Sequence, residues 1–165
     1  MRRLALILLL VACKKAEQPS ATEAPTTAAK PAAQATTANV GWVEADPAKP
    51  LDATIAEQTA LAIKAGKKPV AYLHASWCPP CVEIEKTKST PKMAAAFAPA
   101  HIIAIDVDAV DAKQIEAAGM KLVVLPIFYR LDDKGRPTGD SIDGGAWGDN
   151  IPDNMAPPLT AFFAK

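Results

Sequence analysis

Residues 74–85, HASWCPPCVEIE, carry two of the chain's three cysteines with only Pro79 and Pro80 between them. Such a pair can be half of a zinc site, a structural staple or a redox centre. Zinc takes four ligands, and the two histidines, His74 and His101, fall into no ligand-spaced motif with the cysteines; no metal is expected. A staple across so short a loop removes little chain entropy. The redox reading gains from the flanks: PVAYLHA (69–75) reads as a buried strand, and CVEIEKTK (81–88) continues as a helix. A helix N-terminus presents unpaired N–H groups and the positive end of the dipole, both of which favour a thiolate. Cys78, at the helix start, is expected to be the more exposed sulfur and the nucleophile, with Cys81 as the resolving thiol.

Outward from this junction the chain alternates. TIAEQTALAIKAGK (54–67) has helical apolar spacing, with Thr54 placed to cap it and Gly66 to stop it. The helix after the cysteines breaks near Thr90-Pro91 and resumes through KMAAAFA (92–98). HIIAIDVDA (101–109) reads as a strand, DAKQIEAAG (111–119) as a helix, and LPIFYRLDDKGRP (125–137) as a strand entering a turn at Asp133-Lys134-Gly135. TGDSIDGG (138–145) supplies the hairpin partner, and PPLTAFFAK (157–165) a closing helix. This order predicts an α/β sandwich with a mixed central sheet flanked by helices. Of the remaining marked residues, His74 reads as packed or hydrogen-bonded, His101 as lying near the surface, and Trp42 and Trp147 as packing.

Trp77-Cys78-Pro79-Pro80-Cys81 resembles the W-C-x-x-C site of the thioredoxin superfamily, and Leu125-Pro126, 45 positions beyond Cys81, resembles its cis-proline site. Within the superfamily, WCPPCVEIEK (77–86) followed by VVLPIFYRLDDKG (123–135) is most similar to the C-terminal thioredoxin-like domain of DsbD-type thiol:disulfide interchange proteins, with cytochrome-c-maturation thioredoxins next. The resemblance implies a thioredoxin-like three-layer sandwich over residues 41–165 and a protein-disulfide reductase. It further implies substrate binding at Trp77, Leu125 and Pro126, with Pro126 in cis. Electrons would come from a membrane donor of DsbD type, no cofactor being needed beyond the Cys78–Cys81 couple, and the domain would work as a monomer. Two positions depart from the pattern. Tyr72 stands where many thioredoxins carry a buried Asp, and Ile127 follows the proline where Thr is usual. Glu85, one helical turn beyond Cys81, matches a Glu of DsbD-type domains and is a candidate proton acceptor. Beside Lys86 and Lys88 it also reads as an ordinary solvated carboxylate, and both readings stand.

The chain begins MRRLALILLLVAC: two arginines, an apolar run from Leu4 to Ala12 too short to span a bilayer, then Cys13. Residues 1–12 read as a signal peptide, and Leu10-Val11-Ala12-Cys13 resembles the bacterial lipobox, which makes Cys13 a lipidation site and leaves Cys78 and Cys81 as an even pair. Residues 13–40, rich in Ala, Thr and Pro without apolar periodicity, read as a disordered tether. The expectation is therefore an exported protein anchored by lipid and facing the periplasm, where a disulfide can persist. Lys14, in the place where Asp would signal inner-membrane retention, leans towards the outer membrane. Beyond residue 40 there remain 13 basic against 16 acidic side chains, so nothing points to nucleic acid. The same site run in the opposite direction would make an oxidase or isomerase. A thioredoxin-like Cu(I)-binding chaperone is a further alternative, although such proteins usually place three residues between the cysteines.

Overall fold

A computed structural model describes residues 41–165; the expected signal peptide, Cys13 and the tether lie outside the described residues. Two apolar stretches form the middle of the sheet. Strands β2 (Lys68–His74) and β3 (Ala100–Asp106) are buried almost throughout and pair in parallel from Lys68 opposite Ala100 to His74 opposite Asp106. Continuous apolar runs suit strands covered on both faces. β4 (Ile127–Leu131) lies antiparallel to β2, and β5 (Pro137–Asp143) antiparallel to β4. With β1 (Trp42–Glu44) beside β3, the order is β1-β3-β2-β4-β5.

The pleat divides the core. Val70, Tyr72, Ile102 and Phe128 face helices α2 (Pro79–Thr87), α3 (Pro91–Phe97) and α5 (Pro152–Ala164), where Ile84, Met93, Phe97, Leu159 and Phe163 meet them. Ala71, Leu73, Ile103 and Ile105 face α1 (Leu51–Lys64) and α4 (Ala112–Ala117), packing on Leu51, Ile55 and Ile115. The result is the three-layer α/β sandwich with a mixed sheet that the sequence predicts. Phe128 stacks on Tyr72 at 4.4 Å and meets Phe163 edge-on at 5.7 Å, so aromatic pairs run through the first of the two cores. Trp147 is buried there as packing, its indole N–H donating to Asn150 at 3.0 Å. In the β4–β5 turn Gly135 has φ +77°, and a Cβ there would come within 2.8 Å of Ile55.

Besides the start of α1 at Leu51 rather than at a Thr54 cap, three features differ from the sequence reading. β1 was not expected; it is only three residues long, and its place is fixed by pairing with Ile102–Ala104. His101 is not near the surface but fully buried. Its Nδ1 accepts from the Gly41 backbone N–H at 2.8 Å, and its Nε2 lies 2.9 Å from Gln58 Oε1, so the imidazole clasps the entry to β1 against α1. Burial and the nearby Lys67 charge hold its pKa below the ordinary value of 6.5. Finally, α5 begins at Pro152 rather than Pro157 and carries Pro157 and Pro158 inside it. The burial of Met155, Leu159, Phe162 and Phe163 offsets the donors these prolines lack. Among the described residues, no helix is long and apolar enough to cross a membrane.

Candidate active site

The α2 N-terminus is built by its sequence. Pro79 and Pro80 occupy the first helical positions, where a missing N–H costs nothing, and Cys78 is the N-cap. The Cys78 sulfur accepts a hydrogen bond from the Cys81 backbone N–H at 3.3 Å, inside the positive field of the helix terminus. Cys78 and Cys81 form a disulfide with their Cα atoms 5.2 Å apart. Both cysteines are buried, Cys78 at 3% and Cys81 at 1% exposure, because Ala75, Val107 and Leu125 pack against them.

On the Cys78 side lies a groove of about 270 Å³ lined by Trp77, Cys78, Pro79, Pro80 and residues 122–125. None of its lining side chains is charged. Trp77 is 64% exposed and its indole N–H donates to Asp108 at 2.7 Å, which fixes the ring as one wall. Leu122, Val123 and Val124 form the facing wall and are all exposed, Val123 to 73%. The Leu125–Pro126 peptide is cis, and the Pro126 carbonyl accepts from the Gly144 N–H at 3.2 Å. The structure thus brings Trp77, Cys78 and Leu125 together around one groove. Leu122, Val123, Val124 and Asp108 were not singled out from sequence; the signal available was an apolar run before Pro126 that no strand absorbs.

On the Cys81 side lies a pocket of about 290 Å³ whose lining, unlike that of the groove, includes charged residues: His74, Ala75, Ser76, Cys81, Val82, Glu85, Lys86 and Asp106. Glu85 is half-buried: Lys88 Nζ donates to its Oε2 at 2.6 Å, while Oε1 is buried without a protein partner. Tyr72 is fully buried, stacked between Phe128 and His74, and its hydroxyl also lacks a partner. Burial first, then the charges of Glu85 and Glu44, push the Tyr72 phenol well above its usual pKa, so it stays protonated. His74 Nε2 lies 3.2 Å from Glu44 Oε2, and that hydrogen bond is the main reason the Glu44 carboxyl sits below the ordinary range. A larger hollow of about 820 Å³ between α3 and α5 is lined mainly by Ala and Pro and reaches neither sulfur. Among the described residues no group of three or more His, Cys, Asp or Glu side chains is placed to hold a metal.

No protein-family model matches the chain, and no curated protein matches it in sequence. Among solved structures it is similar to a disulphide isomerase from Xylella fastidiosa Temecula1, at 19% identity and a TM-score of 0.52, over 73% of this chain and 93% of that one. Thioredoxin f from spinach chloroplast gives 17% identity and a TM-score of 0.47, covering 74% of this chain and 95% of that one. A poplar thioredoxin h gives 20% and 0.45, covering 62% and 82% respectively. The first of these carries the fold assignment: the described domain is thioredoxin-like. A thioredoxin-like fold with a formed Cys78–Cys81 disulfide at a helix N-terminus supports thiol–disulfide exchange as the chemistry of the site.

Proposed function

We propose that this chain is an exported, membrane-tethered thiol:disulfide oxidoreductase that reduces protein disulfides by dithiol exchange at Cys78 and Cys81. The observation that carries the reading is the disulfide at the start of α2, with the Cys78 sulfur on the helix N-terminus and one wall of the groove formed by Cys78 itself. In the reduced protein the helix terminus favours the Cys78 thiolate, which attacks one sulfur of a substrate disulfide and expels the other as a thiolate. Cys81 then gives its proton to Glu85 and attacks the Cys78 sulfur, breaking the mixed disulfide and releasing the second substrate thiol. Two electrons pass to the substrate and the Cys78–Cys81 bond re-forms. Trp77, Leu125 and Pro126 hold the substrate segment beside Cys78.

The oxidised domain is recharged by exchange with a membrane donor of DsbD type, the dithiol couple being the only redox group required. A lipid on Cys13 and the residue 13–40 tether keep the domain at the periplasmic face of a bacterial membrane, the outer one on the strength of Lys14. It acts as a monomer on protein disulfides and has no nucleic-acid partner. The test is the reduction potential of the couple, read by Trp77 fluorescence after equilibration with thiol buffers. A value near the thioredoxin figure of about −270 mV supports the reductase, and one near about −120 mV makes the protein an oxidant instead.

A further inference from the structure

Between α4 and β4 the chain runs from Lys121 to Pro126 without regular structure, and there it leaves the apolar side chains of Leu122, Val123 and Val124 in water. Among the described residues, the backbone of these three makes no hydrogen bond. Nothing of its own holds such a stretch in one conformation, and ordering it costs chain entropy residue by residue. Its ends, however, are tied. Before it, Met120 is buried and its N–H donates to the Ile115 carbonyl at 3.2 Å; after it, the Pro126 carbonyl accepts from the Gly144 N–H. The third tie comes from Tyr129, in the middle of β4. Its hydroxyl donates to the Lys121 carbonyl at 2.6 Å and accepts from the Lys121 N–H at 3.3 Å, so one side chain satisfies both polar groups of a residue eight positions earlier. The Tyr129 ring packs against the same core as Leu125. For that packing a phenylalanine would serve; among the described residues the hydroxyl bonds to Lys121 alone.

We propose that Tyr129 is a positioning residue for substrate docking: by closing the loop at Lys121 it holds the Leu122–Val124 wall ready for apolar residues beside the substrate cysteine. The inference rests on the exchange reaction proposed above and concerns what that reaction selects. Cys78 lines the groove together with the wall, so whatever fills the groove carries the disulfide under attack. No charged side chain lines it, and a charged or strongly polar flank would lose its water there without a partner, whereas an apolar one gains by leaving water. A wall already in its receiving conformation spares the complex the ordering cost at the moment of binding. Without the hydroxyl the same apolar side chains remain, but the segment gains alternative conformations and only part of the population can dock. Tyr129 lines neither the groove nor the Cys81 pocket, so its effect falls on binding and not on the exchange of bonds.

The experiment mixes the pre-reduced full chain with two glutathione mixed disulfides, one of a short peptide with leucine on both sides of its cysteine and one of the same peptide with serine there. Single turnovers are followed by Trp77 fluorescence in the unsubstituted chain, in Tyr129→Phe, in the triple variant Leu122→Ala, Val123→Ala, Val124→Ala, and in the combination of all four substitutions. In Tyr129→Phe the half-saturating concentration of the leucine peptide should rise about fivefold at an unchanged limiting rate, while the serine peptide reacts as before. On the triple-variant background, Tyr129→Phe should add nothing, because the wall it positions is gone. An unchanged half-saturating concentration for the leucine peptide in Tyr129→Phe overturns the inference. So does a rise that persists on the triple-variant background or is equal for both peptides, either of which makes the hydroxyl a general support of the domain. Failure of the unsubstituted chain to reduce either peptide strikes instead at the proposed function, and takes the inference with it.

Discussion

The two sulfurs of one disulfide look onto different surroundings. Cys78 borders a groove with no charged lining, walled by Trp77 and the exposed Leu122–Val124 run, whereas Cys81 borders a pocket containing His74, Glu85, Lys86 and Asp106. Three residues apart in sequence, the cysteines diverge because one caps α2 and the other belongs to its first turn. The contrast separates two tasks of thiol exchange. Docking a protein segment is helped by apolar area that water leaves readily, and moving a proton is helped by polar groups in a confined space.

The strongest way to break this division of labour is to remove each sulfur in turn. Cys78→Ser should lower disulfide reduction on the order of a thousand-fold or more. Cys81→Ser should instead accumulate protein mixed disulfides, visible by non-reducing electrophoresis and mass spectrometry; equal failure of both to form adducts would erase the distinction. Next in size is Glu85→Gln, expected to slow release from the Cys78 mixed disulfide about tenfold at neutral pH while leaving the first attack on substrate unchanged. Stopped-flow traces of the two steps decide it. A smaller effect is expected from Val123→Asp, which places a charge on the apolar wall: kcat/KM for protein disulfides should fall about fivefold. Reduction of a small disulfide such as hydroxyethyl disulfide should not change, and an equal loss on both substrates would mean the wall serves the sulfur rather than the partner.

The smallest effect on exchange is expected from acid acting on His101, which belongs to neither side. Its folded-state pKa is depressed, so below 6.5 the unfolded chain binds more protons than the folded one. Stability is therefore full above that pH and declines as pH falls through the window beneath it, with a slope of at most about 1.4 kcal/mol per pH unit. Denaturant melts from pH 7 down to pH 5 (approximately the imidazole range) should show the decline, and His101→Gln should flatten it without altering exchange per folded molecule.

Local pattern made much of this legible. Buried strands announce themselves as unbroken apolar runs, and Pro79-Pro80 after a capping cysteine marks the start of α2 wherever the rest of the chain goes. What sequence did not disclose depends on distant partners. β1 is too short for periodicity and exists through its pairing with Ile102–Ala104. His101 looks polar enough for the surface until Gly41 and Gln58, 60 and 43 positions away, satisfy both ring nitrogens. Thr54 was expected to cap α1, yet the helix starts at Leu51 and the Thr54 hydroxyl bonds back to Pro50. At the site, the sulfurs could be marked from their own spacing, and Leu125-Pro126 from the resemblance to the thioredoxin superfamily. The Leu122–Val124 wall could not, because an apolar triplet normally promises burial and here it is left open.

The clasp between His101 and Gly41 has a mechanical side. Tension arriving along the chain from before Gly41 enters the sheet at β1, where it meets the imidazole bond first and then three ladder pairs with β3. The whole of β3 stands between that point and β2, whose C-terminal end leads into the cysteines. The first links that a pull from that side would meet therefore lie at the margin of the sheet, a full strand away from the one that leads into the two sulfurs.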